Sequence, residues 1–372
     1  MRSETIHENV TMRYIDEYRN PKHVSTLARL IAENTCHDYS LMEVCGGHSA
    51  AIRRFGIPSL LPSRVRLLSG PGCPVCVTAT AFIDKAIACS ALPGTIIASY
   101  GDMIRVPGST SSLEKEKSKG ADVRIVLSAH EALGIALQNP EKNIIFLAIG
   151  FETTAPGTAV TVLQAKKDHT SNFFVLCAHK TMPPAMEAIL AGGTRLDGFI
   201  CPGHVAAVTG SGIFDFIPAK YGAGCVVSGF EPVDILMSIL MLVKQVNSKK
   251  LSVEIQYKRA VTVSGNSIAR SKMNDVFEEC DSEWRGLGII GSGGLRLREQ
   301  YSEFDADLCF PVKTESRSEN NSCICAEILR GLKRPPDCRL FSSACSPETP
   351  AGACMVSAEG SCNAWYRYRT AI

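Results

Sequence analysis

The sequence predicts an α/β protein with two parallel-sheet domains and a third, irregular domain that is rich in cysteine. From about residue 60 to residue 250, short apolar segments alternate with glycine-containing turns and helical segments. Near-continuous apolar strands that alternate with helices are typical of parallel sheets covered on both faces. After residue 250 the alternation stops, and six of the sixteen cysteines lie in the tail, between residues 323 and 362. The chain of 372 residues is long enough for more than one domain.

The first α/β domain is expected over residues 41–139 and the second over residues 140–250. Runs of apolar and β-branched residues predict the strands, and longer amphipathic segments predict the helices. Expected strands of the first domain are 64–70, 94–101 and 123–128, and its expected helices are 78–92 and 129–138. Expected strands of the second are 143–150, 172–179, 196–204 and 223–229, followed by a helix over 232–246.

The third domain is expected over residues 251–372, with a long helical stretch around 271–280. Residues 1–40 contain a predicted helix over 21–34, which we expect to pack on the third domain or on the first. The remainder of the third domain is polar and rich in cysteine and proline. The sequence of this part has no helix or strand period from which a fold could be derived. Its predicted function therefore rests on the cysteines.

Composition excludes several classes of function. The chain is 45% hydrophobic and 20% charged, which is ordinary for a globular protein, and its net charge of +2 gives no argument for a nucleic-acid or membrane-surface partner. The N-terminal segment has no apolar signal core, and the longest apolar stretch, 235–243, is too short to span a bilayer. We therefore expect a soluble, cytoplasmic protein.

Three unusual segments follow predicted strands: GPGCPVC (70–76), GFETTAPG (150–157) and CPGHV (201–205). Ligands of parallel sheets bind beyond the carboxyl ends of strands, so these segments indicate one shared site. No Gly-Lys dipeptide occurs, which excludes a Walker A phosphate loop. GLGIIG (286–291) follows a charged segment instead of a strand and does not indicate a dinucleotide site.

Cys73 and Cys76 form the chain's C-x-x-C pair. Such a pair can close a redox disulfide or supply half of a zinc site, but tetrahedral zinc would need a second pair, which is missing. Cys76 leads into a predicted helix, whose N-terminus favours the reactive thiolate. The pattern therefore favours a redox dithiol or soft-metal ligation over a purely structural turn, and we expect both sulfur atoms in an exposed loop.

Cys45 and His48 lie three residues apart in EVCGGHS, separated by two glycines. Glycines without a Cβ let the backbone approach a ligand or a partner's side chain closely. Alone, this spacing is as consistent with a structural role as with metal binding. A second cysteine loop at the same end of the predicted domain favours a functional site.

The tail cysteines indicate a metal site in a reducing compartment. Their spacing is too loose for common zinc motifs, whereas an iron–sulfur cluster tolerates irregular loops. The missing C-x3-C-x2-C pattern disfavours radical chemistry on S-adenosylmethionine. The expected cluster ligands are Cys323, Cys338, Cys345 and Cys362, with Cys325 as the alternative to Cys323.

Together these segments resemble the HypD family of NiFe-hydrogenase maturation proteins over nearly the whole chain. Seven blocks in the same order carry the resemblance, and none departs from the family pattern. They are CGGH (45–48), GPGCPVC (70–76), GFETTAP (150–156), CPGHV (201–205), GFEPVDIL (229–236), LRGLKRPPDC (329–338) and ACMVSAEGSC (353–362).

The resemblance implies two Rossmann-like domains beside a third domain that carries a 4Fe–4S cluster. It also implies a scaffold for the Fe(CN)2CO unit of NiFe-hydrogenases, built together with a HypC-type chaperone. A HypE-type partner would deliver cyanide, and the finished unit would pass to the hydrogenase large subunit. No nucleic acid and no membrane are implied.

The resemblance also implies residue roles. Cys45 would hold Fe(II) with a cysteine of the HypC-type partner, and His48 would tune that site, donate a proton, or be structural. Cys73 and Cys76 would cycle between dithiol and disulfide or contact the iron directly. Cys325 and Cys354 would form a second, electron-relaying disulfide. Further candidates at the cleft are Glu152, Thr153 and Thr154, which could equally cap a helix, and the weaker Cys201 and His204.

Two other functions remain open from the residues alone. One is a stand-alone thiol–disulfide reductase that uses a cluster to reduce the pair Cys73 and Cys76. The other is a structural zinc protein that acts as an interaction module. Iron beyond the cluster, seen only with a HypC-type partner, would argue against the reductase, and a brown colour would argue against zinc.

Overall fold

Eleven strands occur in residues 12–314 and 322–369, the part of the chain that the computed structural model describes. In chain order they are β1 (Tyr39–Glu43), β2 (Val65–Ser69), β3 (Thr95–Ser99), β4 (Asp122–Ile125), β5 (Asn143–Gly150), β6 (Phe173–His179), β7 (Gly198–Pro202), β8 (Gly224–Ser228), β9 (Val253–Ile255), β10 (Phe277–Trp284) and β11 (Gly288–Leu297).

Fifteen α-helices occur in the same described ranges, with short 3-10 and π segments between them. In chain order they are α1 (Pro21–Asn34), α2 (Gly46–Arg54), α3 (Pro74–Val77), α4 (Thr80–Ser90), α5 (Leu113–Ser118), α6 (Ala129–Gln138), α7 (Ala155–Lys167), α8 (Met182–Ala191), α9 (Gly203–Thr209), α10 (Pro232–Ser248), α11 (Ser267–Val276), α12 (Ala306–Cys309), α13 (Cys325–Leu329), α14 (Ala353–Val356) and α15 (Ser361–Arg367).

Two parallel sheets confirm the predicted fold class. The first has the strand order β2-β1-β7-β8-β9 and the second the order β4-β3-β5-β6. The central strands are buried along almost their whole length, as expected for strands with helices on both faces. Most predicted strands and helices agree with the observed ones to within two residues, and the helix over 21–34 agrees at both ends.

The sheets do not follow the predicted division between residues 139 and 140. Strand β1 pairs with β7, where Leu41 is opposite Gly198, while β3 pairs with β5, where Ile97 is opposite Ile145. Each sheet therefore contains strands from both predicted α/β domains. The apolar pattern identifies a strand but carries no information about its partner, and β1 itself was not recognised as a strand.

The predicted helical stretch around 271–280 is correct only for its first half. Helix α11 ends at Val276, and Phe277 begins the strand β10, which pairs with β11 in an antiparallel hairpin. Exposed and less exposed side chains alternate along β10, and its terminal residues Phe277 and Trp284 are buried. This period of two is the strand pattern, and it was concealed by the acidic residues between the two aromatic ends.

The cysteine-rich tail shares its hydrophobic core with the sheets. One continuous cluster of buried side chains joins residues of both sheets to Cys325, Ile328, Met355 and Cys362. Helix α1 packs instead against α10 and the first sheet, through Leu27 and Ile31. In the described part of the chain, no helix is both long enough and apolar enough to cross a membrane.

Candidate functional site

A cleft of about 520 Å³ lies where strands of both sheets end. Parallel strands bring their carboxyl ends to one edge, so the turns after β1, β2, β3, β5 and β7 converge there. The tail closes one side of the cleft. The lining residues that matter below are Cys45, Gly72, Val75, Asp102, Ile149, Phe151, Thr153, Thr154, His204 and Glu359.

Cys45 forms the N-cap of α2, directly after β1. Its sulfur accepts no capping hydrogen bond, but the backbone N–H groups of Gly47 and His48 lie near enough to favour the thiolate, and the N–H of Gly46 donates to the carbonyl of Gly72 at 2.8 Å. Burial, reinforced by the carboxylate of Glu359, raises the pKa of the Cys45 thiol to about 12. Cys45 is therefore a thiol at neutral pH, and a metal ion could bind it only with release of that proton.

The two glycines after Cys45 make room for parts of the same chain. A Cβ on Gly46 would collide with Glu359, and one on Gly47 would lie 3.1 Å from the ring of Phe230. A Cβ on Gly72 would overlap the backbone of Cys45 itself. We had expected the glycines to make room for a ligand or partner, but in this chain their first role is close internal packing around Cys45.

Cys73 and Cys76 form a disulfide, with their Cα atoms 5.2 Å apart. Cys73 is the N-cap of α3, and the two side chains are only 3% and 0% exposed, so the expectation of an exposed pair is wrong. The backbone around Gly72 and Val75 lines the cleft, whereas the sulfur of Cys76 lies 3.9 Å from the carbonyl oxygen of Ala353 in the tail. The disulfide therefore lies between the cleft and the tail.

His48 is completely buried, and its Nε2 donates to the carbonyl of Gly229 at 2.9 Å. That bond assigns the ring proton to Nε2, and Nδ1 has no hydrogen-bond partner among the described residues. Burial lowers the pKa of His48 to about 4, so the ring is neutral. Phe230 stacks on His48 at 4.5 Å and on His204 at 4.0 Å, which connects the buried imidazole to the one that faces the cleft.

Glu152 does not line the cleft, although Thr153 and Thr154 do. Its Oε1 accepts the N–H of Met182 at 2.8 Å, and burial raises its pKa to about 7. The carboxyl thus holds the start of α8. Cys201 is also buried away from the cleft, with its sulfur 3.8 Å from the carbonyl of Phe199, whereas His204 is exposed to the cleft.

The structure brings all six tail cysteines to one small apolar cavity. The sulfur atoms of Cys325 and Cys354 are 2.7 Å apart. A Cβ on Gly352 would lie 2.8 Å from the sulfur of Cys323, so this glycine keeps the cavity open. The residues that surround the cavity include Cys323, Cys325, Cys338, Cys345, Cys354 and Cys362.

This donor set suits an iron–sulfur cluster. Four thiolates hold such a cluster, and Cys323, Cys338, Cys345 and Cys362 remain once the close pair Cys325 and Cys354 is set aside. In residues 12–314 and 322–369, no three His, Cys, Asp or Glu side chains converge on a point suited to a single metal ion. The six thiols surround a cavity instead.

Sequence reasoning missed four charged residues around these sites. Asp102 and Glu359 line the cleft, and Glu43 accepts the N–H of Cys45 from behind. Arg285, in the turn between β10 and β11, places a positive charge near Cys323, where it opposes the rise in the pKa of that thiol caused by the neighbouring Cys325 thiol and by burial. None of the four left a clear signal in the sequence; Glu43 stands directly before VCGGH, but the strand that it ends was not recognised.

Comparison with known proteins gives consistent matches along the chain. The family described as "HypD: Hydrogenase formation hypA family" matches residues 22–369. The hydrogenase maturation factor HypD of Azotobacter vinelandii is 48% identical over 367 residues, covering 96% of this chain and 97% of that protein. HypD of Escherichia coli strain K12 is 42% identical over 367 residues, covering 96% and 98%.

An archaeal relative extends the range of this similarity. A putative hydrogenase expression/formation protein of Methanocaldococcus jannaschii is 46% identical over 329 residues, covering 88% of this chain and 92% of that protein. With the match to the family over 22–369, these identities confirm the resemblance found in the seven motifs: the chain belongs to the HypD family of hydrogenase maturation factors.

Proposed function

We propose that this protein is the scaffold and redox component on which the Fe(CN)2CO unit of NiFe-hydrogenases is assembled. The iron unit is the cargo, held jointly with a HypC-type chaperone, supplied with cyanide by a HypE-type donor, and passed to the hydrogenase large subunit. One observation carries the proposal: Cys45 lines a cleft that is separated by the Cys73–Cys76 disulfide from a cavity of six cysteines. Assembly takes place in the cytoplasm.

Cys45 is the protein's ligand to the iron. A soft thiolate suits iron that carries cyanide and carbon monoxide, and the N–H groups of Gly47 and His48 stabilise the thiolate once its proton is released. The opposite side of the cleft leaves space for the chaperone's cysteine. His48 is held by Gly229 as a neutral ring, so it supports α2 and does not act as an acid.

The walls of the cleft differ in polarity. Thr153 and His204 face the cleft, and their side chains make no hydrogen bond to the described residues of the chain. They can donate to the nitrogen of cyanide, which is a strong acceptor. Val75, Ile149 and Phe151 form an apolar wall that suits carbon monoxide, a poor acceptor.

The cysteines behind the cleft handle electrons. Reduction of the Cys73–Cys76 disulfide to two thiols takes two electrons and two protons, and a dithiol at Cys325 and Cys354 can supply both by exchange while it becomes the disulfide. Helix α14 connects the pairs, because it carries Cys354 and its Ala353 carbonyl faces Cys76. A 4Fe–4S cluster held by Cys323, Cys338, Cys345 and Cys362 supplies electrons when bound.

The test replaces Cys45 by Ser, with Cys36→Ser as the matched control, because Cys36 is exposed and does not line the cleft. Each variant is purified without air together with the HypC-type partner and examined by infrared spectroscopy. A hydroxyl is a poor ligand for this iron, so Cys45→Ser should lose the cyanide and carbon monoxide bands but keep the tail cluster and the partner. Cyanide and carbon monoxide bands at wild-type intensity in Cys45→Ser would exclude Cys45 as the ligand.

The buried disulfide also favours one alternative, a stand-alone thiol–disulfide reductase. Cys76 of the disulfide lies next to Ala353 in α14, the helix that carries Cys354. A reductase would need such a route for electrons from the tail cysteines to the disulfide. The two functions differ in iron content. The scaffold binds iron beyond the cluster when the HypC-type partner is present, whereas the reductase does not.

A further inference from the structure

A buried carboxyl, that of Glu43, lies next to Cys45 on the side away from the cleft and has no role in the proposed assembly of the iron unit. Glu43 ends β1, is 2% exposed, and does not line the cleft. Its Oε2 accepts the backbone N–H of Cys45 at 3.1 Å, and its Oε1 accepts the hydroxyl of Ser49 at 2.5 Å. Burying a carboxyl is costly, so its position at the end of an apolar strand needs a compensating role.

The hydrogen bonds of the backbone on both sides of the Cys45 Cα atom restrain this expected iron ligand. The N–H of Cys45 donates to Glu43, and the next N–H, that of Gly46, donates to the carbonyl of Gly72. With both peptide groups restrained, the direction of the Cα–Cβ bond of Cys45 is determined. The bond to Ser49 restrains the first turns of α2 in the same way.

The carboxyl is also connected to the cysteine-rich tail. Arg53 of α2 lines the same small cavity as Glu43, and its guanidinium lies 3.4 Å from the ring centre of Trp365. Trp365 belongs to α15, which also carries Cys362. Trp365 lines this cavity as well. The support of Cys45 is therefore continuous with the helix of an expected cluster ligand.

We propose that Glu43 is the positioning residue of Cys45: its carboxyl fixes the Cys45 peptide and the first turns of α2, so that the Cys45 sulfur points into the cleft. This role rests on the proposed function for its purpose, since it positions the expected iron ligand. The geometric statement about the sulfur does not depend on iron and can be tested without it.

The test compares Glu43→Leu, which removes both acceptors, with Glu43→Gln, whose amide oxygen can still accept the N–H of Cys45. Asp84→Asn is the matched control, because Asp84 is also buried and accepts hydrogen bonds, but from Ser109. In the metal-free protein, alkylation of Cys45 by iodoacetamide is followed by mass spectrometry. We expect about a tenfold slower reaction in Glu43→Leu, near wild-type rates in Glu43→Gln and Asp84→Asn, and unchanged circular dichroism.

Unchanged Cys45 alkylation in Glu43→Leu would overturn the proposal. So would an equal loss in Glu43→Leu and Glu43→Gln, because Gln keeps the shape of Glu and an acceptor for the Cys45 N–H, and the charge or the second oxygen of the carboxyl would then be what matters. Infrared spectra of the complex with the HypC-type partner form the second readout, where Glu43→Leu should lose or broaden bands that Glu43→Gln keeps. If the wild type itself shows no bands, the proposed function fails, while the alkylation result still decides the role of Glu43.

Discussion

His179, the last residue of β6, is completely buried, and its Nε2 bonds to the hydroxyl of Thr158 at 3.0 Å. Burial lowers its pKa from 6.5 to about 4. Between these two pH values the unfolded chain binds a proton that the folded protein does not bind. The free energy of unfolding should therefore fall as the pH falls from 6.5 towards 4, by at most about 3 kcal/mol from this residue.

His179→Gln isolates this effect, because the amide can still bond to Thr158 but does not titrate. Urea unfolding of both proteins at pH 7, 5.5 and 4.5, values chosen across that window, measures the difference in stability. The advantage of the wild type should shrink as the pH falls. Other groups, including Glu152, whose raised pKa acts in the opposite direction, are common to both proteins and cancel. A difference that does not vary with pH would contradict the burial of a neutral His179.

Single residues also show what the sequence can and cannot reveal. Cys73 was recognised because cysteine beside glycine after a predicted strand is chemically unusual, and Cys45 because two glycines separate it from His48. Glu43 and Glu359 were not, because acidic residues are common and their burial or convergence depends on tertiary packing. The exposure of the Cys73–Cys76 pair was misjudged for the same reason: a loop rich in glycine and proline is normally exposed, but here the tail covers it.

At the scale of elements, the turn after β2 packs directly against the start of α2. Gly72→Ala would place a methyl group on the backbone of Cys45, and neither backbone segment can yield easily. We expect a loss of about 1–3 kcal/mol of stability, together with a displaced Cys45. Urea unfolding measures the first effect, and the alkylation rate of Cys45 measures the second.

Gly134→Ala is the control for this change. Gly134 lies within α6, and a Cβ there would meet nothing within 4 Å. This variant should be neutral or more stable by up to about 1 kcal/mol, because alanine favours the helix. Equal stability of Gly72→Ala and the wild type would show that the turn can move away from Cys45.

The tail has little regular structure of its own, so we expect its short helices to depend on the proposed cluster. Cys345→Ala removes one thiol of the cavity, and we expect loss of iron and sulfide together with lower solubility, since metal binding is coupled to folding in such loops. Cys309→Ala, an exposed cysteine outside the cavity, should keep both. Full iron and sulfide in Cys345→Ala would exclude it as a ligand.

Elements with a simple period were predictable and composite ones were not. Helix α1 has its capping Asn20, its Pro21 and a regular apolar face, and its ends agree with the prediction. The stretch 271–280 joins a helix end to a strand start, and acidic residues on an exposed strand face resemble a polar helix. The tail cavity has no period at all, and only its cysteines made it predictable.

For the whole molecule, the order of strands was the main feature beyond sequence reasoning. Strands β1 and β2 join β7, β8 and β9, while β3 and β4 join β5 and β6. The apolar pattern of each strand cannot distinguish these mixed sheets from one sheet per consecutive domain. In either arrangement the same side chains would be buried in a core. The arrangement has a physical consequence, since every cut between β4 and β5 divides both sheets.

Because both sheets are divided by such a cut, neither part of the chain should fold alone. A fragment of residues 1–139 contains β1 to β4 but lacks β7 and β5, the partners of β1 and β3. Its apolar strand faces would remain exposed, so we expect no cooperative unfolding from this fragment alone, and the same for residues 140–372. The control is a full-length protein with a protease site inserted at Pro140 and Glu141, which are exposed between α6 and β5. After cleavage its two parts should elute together and unfold as one unit, because both sheets and the shared core connect them. A folded, monomeric fragment 1–139 in circular dichroism and gel filtration would instead support independent consecutive domains.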